Sequence, residues 1–113
     1  MPFDIHLSRS FKRSLKVLHK KYPHVEDDAR MALDELTRNP ELGVLMPGGR
    51  GVRKVRVRNS DLQRGKSGGY RLLYLIRSVQ RVIAALLMYA KSEQADVSKK
   101  EIEDLLEGLS EEL

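Results

Sequence analysis

Apolar and polar residues alternate from Phe3 to Leu7, with Phe3, Ile5 and Leu7 on one face, and this period of two predicts a short strand. The period then lengthens. Phe11, Leu15, Leu18 and Tyr22 recur at helical spacing, so an amphipathic helix should run from an N-cap at Ser8 or Ser10 to TyrPro at 22 and 23. Its opposite face is rich in Lys and Arg. Val25, Ala29, Ala32, Leu33 and Leu36 repeat the pattern, with Glu26, Asp27 and Asp28 at the positive end of the helix dipole and AsnPro at 39 and 40 as the stop. Two helices packed as a hairpin are expected.

From Glu41 to Gly51 the chain reads as a loop, and GlyGlyArgGly at 48–51 as a turn. Alternation then returns, and helical spacing does not reappear before residue 92. Val52 to Arg58 places Val55 and Val57 on one face and Lys54, Arg56 and Arg58 on the other, a half-buried strand with a cationic outer surface. Tyr70 to Arg77 and Val82 to Lys91 are apolar at most positions, as central strands are, and the polar stretch between them suits a hairpin turn. Ile102, Leu105, Leu106 and Leu109 mark a last helix that Ser98 would cap, with SerGluGluLeu at 110–113 expected to fray. The order β-α-α-β-β-β-α predicts an α+β fold: a mainly antiparallel sheet with an N-terminal helical hairpin and a C-terminal helix.

At 113 residues, 41% of them apolar, the chain suits one domain spanning 1–113 with a core that needs no disulfide or metal to hold it. It has no cysteine, which excludes disulfide scaffolds, thiolate metal sites and cysteine nucleophiles and suits a reducing cytoplasm. The longest apolar run, Val82 to Ala90, falls far short of the ~20 residues of a membrane helix, and MPFDIHLSRSFKRSLK lacks the apolar stretch of a signal peptide. No membrane association is expected, and a cytoplasmic location is.

The net charge of +5 is unevenly spread. Residues 50–71 hold eight basic side chains and one acidic one, whereas residues 92–113 hold two and eight. So dense a basic segment repels itself, and a polyanion is the economical partner. The acidic tail reads as a solvated helix face.

His6, His19 and His24 all lie outside the basic segment, where surface or capping roles suit them better than catalysis. Asp27 and Asp28 are adjacent and point to different faces of a helix, so no metal site and no cofactor are predicted. What remains is the cationic constellation: Arg53, Lys54, Arg56 and Arg58, then Arg64, Lys66, Tyr70 and Arg71, then Tyr89, Lys91 and Ser92. Lys54 and Arg56 share a face about 6.7 Å apart by strand geometry, and Arg71 on the next antiparallel strand can lie across from them. Such a cluster grips phosphate oxygens and offsets the extra negative charge of a five-coordinate phosphoryl transition state. Tyr70, Tyr74 and Tyr89 are candidates for stacking on a base, although Tyr74 suits packing better.

ValArgLysValArgVal (52–57), GlyLysSerGlyGlyTyrArgLeuLeuTyr (65–74) and LeuMetTyrAlaLysSerGluGlnAlaAspValSer (87–98) resemble the RelE/ParE superfamily of type II toxins, and most closely its HigB branch. The resemblance spans nearly the whole chain. It implies a compact microbial-ribonuclease-like fold, a cognate antitoxin of helix-turn-helix type through which operator DNA is bound, and, for RelE and HigB members, cleavage of mRNA in the ribosomal A site. ParE members instead poison DNA gyrase. Carried over by position, Lys54 and Arg56 fall where RelE-type toxins place basic residues around the scissile phosphate, Arg71 falls on the arginine of GlyTyrArg, and Lys91 on the lysine at the strand end. Two positions depart from that pattern: Ser92 stands in place of an arginine, and Ser98 in place of the C-terminal tyrosine that acts as base. HigB-like toxins also carry a small polar residue after the lysine.

The expected activity is therefore a metal-independent, ribosome-dependent endoribonuclease. Arg56 and Arg71 would clamp the phosphate, Lys54 or Lys91 would move the proton, and Arg53, Arg58, Arg64 and Lys66 would hold backbone phosphates. A gyrase inhibitor or a non-catalytic RNA-binding protein using the same basic face is the rival, but a gyrase poison does not require Lys54, Arg56 and Arg71 to converge on one phosphate.

Overall fold

The computed structural model describes residues 2–62 and 68–113. Its elements run β1 (Asp4–Leu7), α1 (Arg9–His19), α2 (Val25–Arg38), a 3-10 turn (Pro40–Leu42), β2 (Val44–Leu45), β3 (Val52–Val57), β4 (Tyr70–Arg77), β5 (Val82–Ala90) and α3 (Lys99–Glu112). The order is the expected one with one addition, since the stretch read as a loop holds the short strand β2. Arg64 and Lys66 lie outside the described residues.

The five strands form one sheet in the order β1-β5-β4-β3-β2, antiparallel except where β1 runs parallel to β5. Two cores sandwich it. On one face the hairpin buries Phe11, Leu18, Val25, Ala29, Leu33 and Leu36 against Val57, Tyr70, Leu72, Tyr74 and Ile83. On the other, α3 brings Ile102 and Leu109 onto Val52, Leu73, Ala84, Leu86 and Tyr89. The second core is smaller and stops short of Arg56, which is exposed on the same face of β3.

A bulge divides β5. Leu73 pairs with Leu87 but Tyr74 with Ala85, so Leu86 is supernumerary. Ala84 and Leu86 face α3, and so do Leu87 and Tyr89, which means the two-residue alternation changes phase at the bulge. Without it Tyr89 would point into the hairpin core.

β1 ends at Leu7, and among the described residues no strand pairs with the far edge of β5 beyond Ala85. Serines of α1 take over. Ser10 Oγ donates to Leu86 O at 2.8 Å and Met88 N donates to Ser14 Oγ at 3.1 Å, which satisfies backbone groups that an open edge would strand. Ser8 caps α1 by accepting the Phe11 N–H, and Ser98 caps α3 in a reciprocal box with Glu101.

Helix and tertiary contacts reach into the segment expected to fray. The last helix runs to Glu112, whose carboxylate accepts the Arg9 N–H at 3.0 Å and meets His6 Nε2 at 2.9 Å. These contacts hold its carboxyl below the ordinary range, the Arg9 N–H contributing most. The other two histidines also face carboxylates: His19 meets Glu26 at 2.9 Å and His24 meets Asp61 at 2.7 Å. Asp28, buried on α2, accepts from both the amide and the hydroxyl of Ser60. Asp27 points outward to Arg30. Both acids are thereby used in structure.

Candidate functional site

Strand parity builds the cationic surface. Val52, Lys54 and Arg56 alternate on one side of β3, and Val52 packs into the α3 core, so the two cations emerge on that same face just past its border. In the β3–β4 register Arg56 stands directly opposite Arg71 and Lys54 opposite Leu73; on the other side of Arg71 lies Tyr89. Cross-strand partners have Cβ atoms about 5 Å apart, and like charges placed there destabilise a sheet. The juxtaposition of two guanidinium groups is thus a structural cost that an anion would relieve.

Lys54, Arg56, Arg71 and Lys91 line one open concavity of about 600 Å³, rimmed by Leu42, Val44 and Ala95. Arg71 is steadied by donating from Nη1 to Tyr70 O at 3.1 Å. Lys91 is positioned through its backbone, since its amide donates to Gly69 O at 3.0 Å. A Cβ on Gly69 would lie 2.6 Å from Val57 O, so only glycine lets this turn sit close enough to β3 to receive Lys91. Gly43 makes the comparable approach on the β2 side, where its N–H donates to the Tyr74 hydroxyl at 2.9 Å.

Asp96 brings a carboxylate to this cluster. Its Oδ1 accepts the Val97 N–H at 2.8 Å and stands 3.6 Å from Lys54 Nζ. The Val97 N–H chiefly, with help from Lys54 and Lys91, keeps the acid below the usual carboxylate range. Among the described residues Arg56, Arg71 and Lys91 have no such acidic partner within 4 Å.

The four residues expected to carry chemistry therefore come together, but several expected at their side do not. Arg53 projects from the opposite face of β3, where its guanidinium donates to Gly43 O at 2.7 Å; the alternation that exposes Lys54 turns Arg53 away. Tyr70 is on that same far face, fully buried and edge-on to Tyr22 at 5.6 Å between ring centres. It cannot stack on a base at this site. Tyr89 is on the right face beside Arg71, yet it is covered within the core that holds Val97 and Ile102, and burial pushes its phenol up. Arg58 lines a neighbouring groove against α2, with Asp34, Glu35 and Arg38, and Arg56 borders both depressions. Ser92 is exposed in the turn after β5. Tyr74 is packed, its hydroxyl donating to Pro40 O at 2.6 Å. Ser98, where the resemblance places a tyrosine base, spends its hydroxyl on the helix cap.

Missing from the sequence reading were Asp96 and the apolar rim of Leu42 and Val44. Asp96 was hidden in the overall acidity of the C-terminal segment, and the rim in a stretch without periodicity. No helix among the described residues is long and apolar enough to cross a membrane.

The class defined so far is an α+β domain with four cationic side chains gathered in one open concavity of its sheet. Residues 43–111 match the RelE toxin of the RelE/RelB toxin–antitoxin system, and the chain belongs to that family. Its fold is similar to that of E. coli toxin RelE in the free state, solved as an arginine-to-alanine double mutant: TM-score 0.59, 22% identity, 84% of this chain and 90% of that one covered. The RelBE2 toxin–antitoxin complex from Mycobacterium tuberculosis is also similar, with TM-score 0.54, 21% identity, and 80% and 99% covered.

Proposed function

We propose that the chain is a ribosome-dependent endoribonuclease that cleaves mRNA in the A site, as the toxin of a type II toxin–antitoxin pair. The observation that carries this reading is the convergence of Lys54, Arg56, Arg71 and Lys91 on one concavity. In the reaction the ribose 2′-oxygen attacks the adjacent phosphorus while the P–O5′ bond breaks. The products are a 2′,3′-cyclic phosphate and a free 5′-hydroxyl. Lys54 takes the 2′-OH proton, Lys91 supplies a proton to the departing 5′-oxygen, and Arg56 and Arg71 hold the non-bridging oxygens as charge accumulates on them. No metal or other cofactor enters the scheme.

The base stays on the strands, because Ser98 caps α3 and Tyr89 is buried. Ser92 after Lys91 favours the HigB branch, with a helix-turn-helix antitoxin as partner and as the means of contacting operator DNA. A gyrase-directed toxin would have no use for two arginines opposed across a strand pair.

The ribosome is needed to orient the substrate, a contribution of several kcal/mol that a shallow basin does not provide. Purified protein added to ribosomes programmed with a defined mRNA should give a primer-extension stop at the A-site codon, and the same mRNA without ribosomes should survive. Intact mRNA on programmed ribosomes overturns the nuclease reading. Rapid cutting of naked mRNA removes only the ribosome requirement.

A further inference from the structure

Asp96 lies beside a site built for anions, and the position of its backbone is set by something other than that site. The next residue, Val97, is buried in the α3 core, and the one after it caps α3. The helix terminus therefore fixes where Asp96 starts, and only its side chain decides what it touches. That side chain is two-thirds exposed and meets Lys54 at 3.6 Å, beyond ideal hydrogen-bond length. A contact of that kind is held weakly and can be exchanged. Lys54, in contrast, is largely covered and fixed on β3.

We propose that Asp96 is a built-in counter-ion of the basin, an intramolecular carboxylate that occupies Lys54 until a substrate phosphate displaces it. The inference rests on reading the basin as a phosphate site. It adds a consequence for selectivity: every RNA must compete with a resident anion at effectively high local concentration. A strand that places a phosphate among Arg56, Arg71 and Lys91 at once wins the exchange. A loosely held strand that touches Lys54 alone does not.

Asp96→Asn tests this with little risk to folding, because the amide keeps a carbonyl oxygen to accept the Val97 N–H while the charge is removed. The probe is a fluorescent, fully 2′-O-methylated RNA hexanucleotide, which cannot be cleaved, titrated by anisotropy with the parent, Asp96→Asn, Lys54→Met and the double variant. Asp96→Asn should bind about three- to tenfold more tightly than the parent. In the Lys54→Met background the same change should gain less than half as much.

Unchanged or weaker binding by Asp96→Asn overturns the proposal. So does an equal gain with and without Lys54, which would make Asp96 one more contributor to overall charge. Because the readout involves no cleavage, failure of the nuclease reading would show separately, as intact mRNA on programmed ribosomes.

Discussion

Arg71 stands between Arg56 on one neighbouring strand and Tyr89 on the other, tied to the backbone through its own Nη1. A guanidinium held this way needs no reorganisation when charge develops in front of it, so Arg71→Ala should stay folded and lose about 100- to 1,000-fold in single-turnover cleavage of programmed ribosomes. Lys54 calls for a pair of substitutions. Lys54→Arg keeps the cation but cannot act as base, and should cleave no faster than Lys54→Met if Lys54 takes the 2′-OH proton; parental rates from Lys54→Arg would leave Lys54 only an electrostatic role. A different titration belongs to His24 and Asp61. Asp61 raises the His24 pKa above 6.5, and His24 lowers the Asp61 pKa below 3.8. The histidine's share of stability is present below its unfolded pKa and lost as pH rises through the raised folded value, while the aspartate's is lost as pH falls through its lowered one. The pair thus contributes fully between pH 3.8 and 6.5, and the melting temperature lost in His24→Gln should be larger at pH 5.5 than at pH 8.5. At this scale Lys54, Arg56 and Arg71 were legible because one uninterrupted ladder preserves parity. The same parity separates Tyr70 from Arg71 and Arg53 from Lys54, since strand neighbours point to opposite faces.

Among the elements, the three helices and the four longer strands were readable to within about three residues because each carries its own period and its own stops, whereas the two-residue β2 is too short to show a period. The bulge was not: neither glycine nor proline marks Leu86 and Leu87, and only the pairing with β4 reveals the change of phase. Nor did periodicity show that the serines of α1 guard an edge, because Ser10 and Ser14 fit equally well as ordinary polar-face residues. Their role has a measurable size. Ser14→Ala leaves the Met88 N–H without its acceptor and should cost about 1–3 kcal/mol in urea denaturation. Ser98→Ala should cost about 1 kcal/mol through the lost cap yet leave cleavage on programmed ribosomes within a few-fold of the parent, because that hydroxyl serves the helix.

For the molecule as a whole, the uneven charge predicts a salt dependence. If the basin's four cations each neutralise a phosphate, log K against log salt on single-stranded RNA should have a slope of about −3, and removing Arg56 should reduce its magnitude by about 0.7. The pairing of β1 with β5 has a different consequence, in the order of events during synthesis. Asp4 finds its partner only at Val82, and the basin is complete only when Lys91 has joined Lys54, Arg56 and Arg71. Such long-range closure is slow and comes late, so a nascent chain ending before β5 has neither its sheet nor its site. Ribosome-arrested chains whose emerged portion stops short of residue 82 should remain protease-sensitive, whereas those with residues 1–113 outside the exit tunnel should resist. A chain that has not yet reached Lys91 thus carries three of the basin's four cations and no closed basin.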